Sequence, residues 1–94
     1  MRVRYTPRAR DDLREIYAFL YARSPRGASN VRAAIREAVA RLGREPRRGQ
    51  ETDWPSVRRL PVVRYRYAIY FRVRDGEVHI VHIRHTSRQS PADL

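Results

Sequence analysis

The C-terminal part of the chain holds the residues best suited to chemistry on a phosphate group. The segment HIVHIRHTSR contains all three histidines, and the last of them, His85, lies between Arg84 and Arg88. An imidazole titrates near neutral pH and can act as a general base, while guanidinium groups stabilise the charge of a phosphate transition state. Attack by the 2′-hydroxyl group of RNA needs only such groups. Histidine and arginine clusters in basic proteins nevertheless bind more often than they catalyse.

The same histidines do not predict a metal site. The chain has no cysteine, and little acid lies nearby to complete a set of ligands. In a strand, His79 and His85 would share one face, while His82 would point to the other as a packed or hydrogen-bonded side chain. Since the sequence also lacks a glycine-rich phosphate loop and a nucleophile elbow, neither a metal nor a cofactor is predicted.

A second candidate site is the stretch RYRYAIYFRVR, residues 64–74. Side chains of a strand alternate between two faces, so the odd positions form an apolar face and the even positions an arginine face. The chain has 21 basic residues, all of them arginine, against 10 acidic ones, for a net charge of +11. Because no acid lies between residues 57 and 74, the arginine face is predicted to contact nucleic acid, a nucleic-acid enzyme or an acidic protein. The arginines on it are Arg64, Arg66, Arg72 and Arg74, and neighbouring elements are expected to place Arg58, Arg59, Arg84 and Arg88 nearby.

Two helices are predicted in the first half of the chain. Thr6, which precedes a proline, is the expected N-cap of a helix over about residues 7–23. The breaker Ser24–Gly27 then separates it from a second helix, which begins near Ala28 and carries one continuous apolar stripe. Gly43 is the expected C-terminal cap. A short link between two helices makes an antiparallel hairpin. The acids of the first helix are interpreted as helix-start charges and as partners of arginines on the same helix. These acids are Asp11, Asp12 and Glu15, and the arginines are Arg8, Arg10 and Arg14.

The remaining pattern predicts strands and a single α+β domain over residues 1–94. The predicted strands are residues 2–5, 57–63, 64–74 and 77–85, with a loop over residues 46–56. The order is therefore β-α-α-β-β-β, with the helical hairpin packed on one face of a mostly antiparallel sheet and a flexible tail over residues 86–94. No long apolar run or signal peptide is present, which predicts a cytoplasmic protein with no membrane partner.

The order and spacing of several segments resemble the toxins of the RelE/ParE superfamily of type II toxin–antitoxin modules. These segments are TPRARDDLREIYAFL, AVARLGREPRRG, VRRLPV, YRYAIYFRV and VHIVHIRHTSR, which together span essentially the whole chain. Asp11–Asp12 and the closing His85-x-x-Arg88 are similar to the ParE branch. The resemblance implies a toxin that arrests growth by inhibiting DNA gyrase through protein contact, without being an enzyme. Its target-binding residues would be Arg84, His85 and Arg88.

The alternative within the superfamily is a RelE-like enzyme that cleaves mRNA on the ribosome. This chain has no lysine and no tyrosine after Tyr70, so the RelE pattern is incomplete. The residues that could take the catalytic roles are Arg59, Arg66, His85 and Arg88.

The resemblance also implies a cognate antitoxin, whose acidic or amphipathic segment wraps the toxin in a hetero-oligomer. Hydrophobic anchors would dock beside the helices, and carboxylates along the arginine face. The predicted antitoxin-binding residues are Tyr17, Leu20, Tyr21, Arg64, Arg66, Arg72 and Arg74. Tyr21 is singled out because it falls off the apolar stripe of the first helix.

Overall fold

The computed structural model describes residues 1–86. Its elements in chain order are β1 (Arg2–Tyr5), α1 (Pro7–Arg23), α2 (Pro25–Arg44), β2 (Gln50–Glu51), β3 (Arg58–Val62), β4 (Tyr67–Arg74) and β5 (Glu77–His85). The predicted α+β class and helical hairpin are confirmed, and β2 adds a short strand within the predicted loop. The predicted tail lies, from residue 87 onward, outside the described residues. Within residues 1–86, neither helix is long and apolar enough to cross a membrane.

The strands form one sheet in the order β1-β5-β4-β3-β2. Among these strands only the β1–β5 pair is parallel. The two helices carry the chain from β1 at one edge of the sheet to β2 at the other edge. β4 and β5 are joined by Asp75–Gly76, whose φ angles of 54° and 73° are those of a type I′ turn. The longest strand pair of the sheet is therefore built from a local hairpin, as the sequence predicts.

The helix boundaries follow from capping chemistry. The Thr6 hydroxyl accepts from the Ala9 N–H at 3.2 Å, which confirms the predicted N-cap of α1. The Ser24 hydroxyl accepts from the Gly27 N–H at 3.0 Å, so α2 begins at Pro25 rather than near residue 28. Proline is favourable at the first helical position, where its missing N–H has no cost. The predicted breaker is therefore a shared cap between two helices.

Gly43 does not end α2, contrary to the prediction. The helix continues to Arg44 and is capped at Glu45. A Cβ atom at position 43 would lie 3.2 Å from the carbonyl oxygen of Met1, and the N-terminal ammonium group donates to the Gly43 carbonyl at 2.6 Å. Glycine therefore allows the close approach of α2 to the start of β1.

The main core lies between the helical hairpin and one face of the sheet, here called the helix-side face. The apolar stripe predicted for α2 belongs to this core together with buried residues of the central strands β4 and β5. The most buried members of this core are Ile35, Leu42, Ile69, Phe71, Val78, Ile80 and Ile83. Burial of these side chains fixes which face of each strand meets the helices, and it thereby determines which residues remain on the other face.

A β-bulge in β5 reverses the predicted placement of the histidines. Tyr70 pairs with His82 while the next residue, Phe71, pairs with Ile80, so β5 has one extra residue at this point. The bulge shifts the alternation, and His82 joins His79 on the face away from the helices. His85 instead lies on the helix-side face. The prediction that His79 and His85 share a face is therefore wrong.

Two half-buried tyrosines make the stability of this core depend on pH. Burial raises the pKa of Tyr5, an effect that Arg36 opposes, and burial together with Tyr5 raises the pKa of Tyr17, an effect that Arg32 and Arg36 oppose. A raised pKa in the folded state means that the stability contributed by the protonated phenol is complete below about pH 10 and is lost as pH rises further.

The free energy of unfolding is therefore expected to fall above about pH 10. Urea unfolding at a series of pH values from 8 to 11 measures this directly. The double variant Tyr5→Phe/Tyr17→Phe should show a shallower decline, and Tyr21→Phe, at an exposed position, should behave as the parent chain. An equally steep decline in the double variant would contradict the assignment.

Candidate functional site

The face of the sheet opposite the helices, here called the open face, carries most of the charge of the strands. Alternation along the strands and the strand register place on it Arg2, Arg4, Arg59, Arg72, Arg74, Glu77, His79, His82 and Arg84. Among the described strand residues, Glu77 is the sole carboxylate of this face. Its oxygens lie 3.9 Å from Arg2 Nε, 4.0 Å from Arg4 Nε and 3.3 Å from His79 Nε2. One carboxylate serves three partners, so the open face keeps a positive excess.

The predicted arginine face is only partly formed. β4 begins at Tyr67, and the preceding residues form a turn closed by a hydrogen bond of 3.3 Å from the Tyr65 N–H to the Val62 carbonyl. Arg64 has a φ of 79° within this turn, so neither Arg64 nor Arg66 belongs to the strand. The single continuous row predicted from the alternation is therefore wrong.

The arginines that do share the open face come from several strands. Arg72 and Arg74 lie on it as predicted, and so do Arg59 and Arg84 from the neighbouring strands. The register adds Arg4 beside His79. Arg4 and Arg59 belong to β1 and β3, which do not touch each other in the sheet. Their convergence depends on strand order, which local sequence patterns do not reveal.

Beneath these arginines is a small apolar cluster. Val57, Ala68 and Tyr70 are buried, and Val81 packs against them. The ring of Trp54 lies 6.5 Å from that of Tyr70 and remains 41% exposed. Trp54 therefore covers the edge of the cluster, and the large apolar groups of the sheet centre are hidden from solvent.

Asp12 connects α1 to the free edge of β5. One of its carboxylate oxygens, Oδ2, lies 2.6 Å from His82 Nδ1 and accepts from the Ile83 N–H at 3.0 Å. β1 ends at Tyr5, so this part of β5 has no strand on that side, and the carboxylate takes the N–H that a strand would have taken. The prediction that His82 is hydrogen-bonded is confirmed.

The two neighbouring aspartates have different roles. The sequence interpretation pairs both with arginines of the same helix, and Asp11 does contact Arg14 at 2.8 Å on the surface. Asp12 instead contacts His82, and their side chains are only 15% and 14% exposed. The intrahelical assignment of Asp12 is therefore wrong, because its carboxylate contacts a histidine 70 residues away.

The predicted target-binding residues do not form one cluster. Arg84 lies on the open face opposite Ala68, whereas His85 lies on the helix-side face with its ring edge-on to Tyr67, at 5.0 Å between ring centroids. Arg88 lies outside the described residues. The sheet itself therefore separates Arg84 from His85.

The residues of the alternative RelE-like catalytic set, as far as the structure describes them, also lie on different parts of the surface. Arg59 lies on the open face in β3, while His85 lies on the helix-side face. Arg66 is in the turn before β4, where its carbonyl accepts from the Thr86 N–H at 2.7 Å. A common substrate atom could not contact both Arg59 and His85 in this arrangement.

A groove at one end of the helical hairpin contains the predicted tyrosines. It has a volume of about 490 Å³ and is lined by Tyr17, Ala18, Tyr21, Ala22, Pro25, Ala28, Ser29 and Arg32. Tyr21 is 65% exposed, and the guanidinium group of Arg32 lies 5.8 Å from the ring centroid of Tyr17. Leu20 packs against the main core and does not line this groove. The hairpin groove thus combines an apolar floor with a cation.

Arg64 lines a different groove, between α2 and the end of β3. This groove has a volume of about 770 Å³, and its walls include Ala34, Ala38, Leu60 and Val62. Arg64 is thus on the α2 side of the molecule, away from Arg72 and Arg74. The predicted antitoxin-binding residues therefore belong to separate surfaces.

Comparison with known proteins assigns the chain to a family. A family model described as the ParE toxin of the type II toxin–antitoxin system, parDE, matches residues 3–90. The chain belongs to the ParE toxin family. It is a type II toxin with an antitoxin as its partner, and the resemblance seen in the sequence is confirmed.

Individual relatives are likewise toxins of the RelE/ParE superfamily. This ParE-family chain is 37% identical over 84 residues to Toxin RelE2 of Caulobacter vibrioides, across 89% of this chain and 93% of that protein. It is also similar to a chain of the chromosomal ParDE toxin–antitoxin system from P. aeruginosa, with a TM-score of 0.80 and 28% identity. That match covers 90% of this chain and 95% of the solved chain.

Proposed function

We propose that this ParE-family toxin arrests growth by inhibiting DNA gyrase through protein contact, and that its cognate antitoxin neutralises it. The match of the ParE family model to residues 3–90 carries the proposal. Gyrase acts on DNA in the bacterial cytoplasm, so the proposed site of action is cytoplasmic.

The placement of the basic residues supports a binding protein over a ribonuclease. Arg59 and His85, two members of the alternative catalytic set, lie on opposite faces of the sheet. His82 is held by Asp12, whose carboxylate also completes the backbone pairing of Ile83. Because the Asp12 carboxylate binds both His82 and the β5 backbone, we assign the pair a structural role in joining α1 to β5 rather than a catalytic one.

The hairpin groove is the proposed docking site of the antitoxin. An amphipathic segment could place apolar anchors against Tyr17 and Tyr21, and a carboxylate beside Arg32. The continuous arginine track first predicted for carboxylates is not formed, because Arg64 and Arg66 are in the turn before β4. Apolar contact in the groove therefore supplies most of the proposed affinity.

A supercoiling assay tests the proposal. Purified toxin should prevent gyrase from supercoiling relaxed plasmid DNA, and addition of the cognate antitoxin should restore the activity. A parallel reaction with translating ribosomes should leave the mRNA intact. Normal supercoiling together with mRNA cleavage would contradict the proposal and favour the RelE-like alternative.

A further inference from the structure

We propose that the open face binds the phosphate backbone of duplex DNA. The inference rests on the proposed gyrase function, which explains why a DNA duplex would lie close to the bound toxin. It assigns the open face a role separate from that of the hairpin groove.

The basic side chains of the open face form a two-dimensional array. Arg4, His79 and Arg72 lie in one row across β1, β5 and β4, and Arg59 extends the array to β3. Neighbouring strands are about 4.8 Å apart, so the array spans roughly 14 Å from β1 to β3. Each strand of a DNA duplex carries one phosphate per roughly 3.4 Å of helix axis, so an array of this width faces several phosphates at once.

Three arginines of the open face have no carboxylate partner among the described residues, whereas Arg4 and His79 share Glu77. Arg59, Arg72 and Arg74 form no ion pair with a carboxylate of residues 1–86. A phosphate oxygen would supply the acceptors that these guanidinium groups lack.

The chemistry of the open face fits phosphate better than a peptide. A bound protein segment gains most of its affinity from side chains inserted in apolar pockets. Here Val57, Ala68 and Tyr70 are already buried, and Trp54 covers their edge. Backbone phosphates need only cations and hydrogen-bond donors, which are the groups that remain exposed. The apolar hairpin groove, in contrast, suits a protein.

The test is the affinity of antitoxin-free toxin for a fluorescein-labelled 20-base-pair duplex, measured by anisotropy over a range of salt concentrations. The variant Arg59→Gln/Arg72→Gln should bind about tenfold more weakly. Its plot of log Kobs against log salt should have a slope that is less negative by about 1.8, because two phosphate contacts are lost. The matched control Arg26→Gln/Arg44→Gln removes the same charge from exposed positions of α2 and should retain most of the affinity. Equal losses in the two variants would overturn the proposal.

Additional measurements control for misfolding of the double variant and test RNA and an acidic polymer as competing ligands. Arg74→Gln, at an exposed strand end, should weaken binding in the same direction if the double variant does not fold. Tighter binding of single-stranded RNA through Arg59 and Arg72 would overturn the assignment to DNA. Loss of poly-glutamate binding, with DNA binding intact, would assign the face to an acidic protein instead.

The DNA-binding assay contains no gyrase, so the two proposals can fail separately. Toxin that binds DNA through Arg59 and Arg72 but leaves supercoiling normal would contradict gyrase inhibition alone. Toxin that inhibits gyrase, while its DNA affinity is the same in the parent chain and in the double variant, would contradict the role of the open face alone.

Discussion

Replacing Asp12 with alanine is expected to lower the free energy of unfolding by about 2–4 kcal/mol, which corresponds to a fall in Tm of roughly 10–25 °C. The substitution removes a carboxylate that lies 2.6 Å from His82 Nδ1 and 3.0 Å from the Ile83 backbone nitrogen. Both groups are then left largely buried without their acceptor. Urea and thermal unfolding followed by circular dichroism would measure the loss.

The adjacent aspartate provides the matched control. The Asp11 side chain is 64% exposed and contacts Arg14 on the helix surface, so Asp11→Ala should cost about 0.5 kcal/mol or less. Asp12→Asn keeps an oxygen acceptor for the Ile83 N–H but loses the charge, and it should give an intermediate loss. Equal effects at positions 11 and 12 would show that the contact with β5 does not stabilise the fold.

The second large effect is expected in the affinity for the antitoxin. Tyr21→Ala should weaken the complex about 30-fold, or about 2 kcal/mol, because it removes the most exposed aromatic wall of the hairpin groove. Stability should change little, since Tyr21 contributes little to the core. Titration calorimetry with the purified cognate antitoxin would measure the affinity.

Phe19 is the control for this substitution. It belongs to the same helix and is also exposed, but it does not line the hairpin groove. Phe19→Ala should therefore leave the affinity for the antitoxin within about threefold of the parent chain. If Tyr21→Ala binds as tightly as the parent, or if Phe19→Ala loses as much, the antitoxin docks elsewhere.

The elements predicted best are those determined by local chemistry. Thr6 with the following proline marks the start of α1, and the Asp75–Gly76 turn marks the β4–β5 hairpin. The start of α2 was misplaced although its determinants are also local. Ser24 followed by a proline is both a break in one helix and the cap of the next, and the prediction recognised only the break.

The functional surfaces were harder to predict because they depend on contacts distant in sequence. The bulge that moves His82 onto the open face is set by pairing with β4. The contact between His82 and Asp12 joins residues 70 positions apart. Likewise, Arg4 and Arg59 become part of one surface only through the strand order. The excess of arginine indicated an anionic partner, but the sequence did not reveal which arginines act together.

The parallel pairing of β1 with β5 has a consequence for synthesis on the ribosome. Each residue of β1 pairs with a residue about 75 positions later in the chain, since Arg2 pairs with Glu77 and Tyr5 with Ile80. During synthesis, β1 therefore has no strand partner until β5 has been made. At typical translation rates of about 5–20 residues per second, the nascent chain spends several seconds without the strand that completes its sheet. The two helices can form early, but the finished toxin surface arises only after β5 has been synthesised.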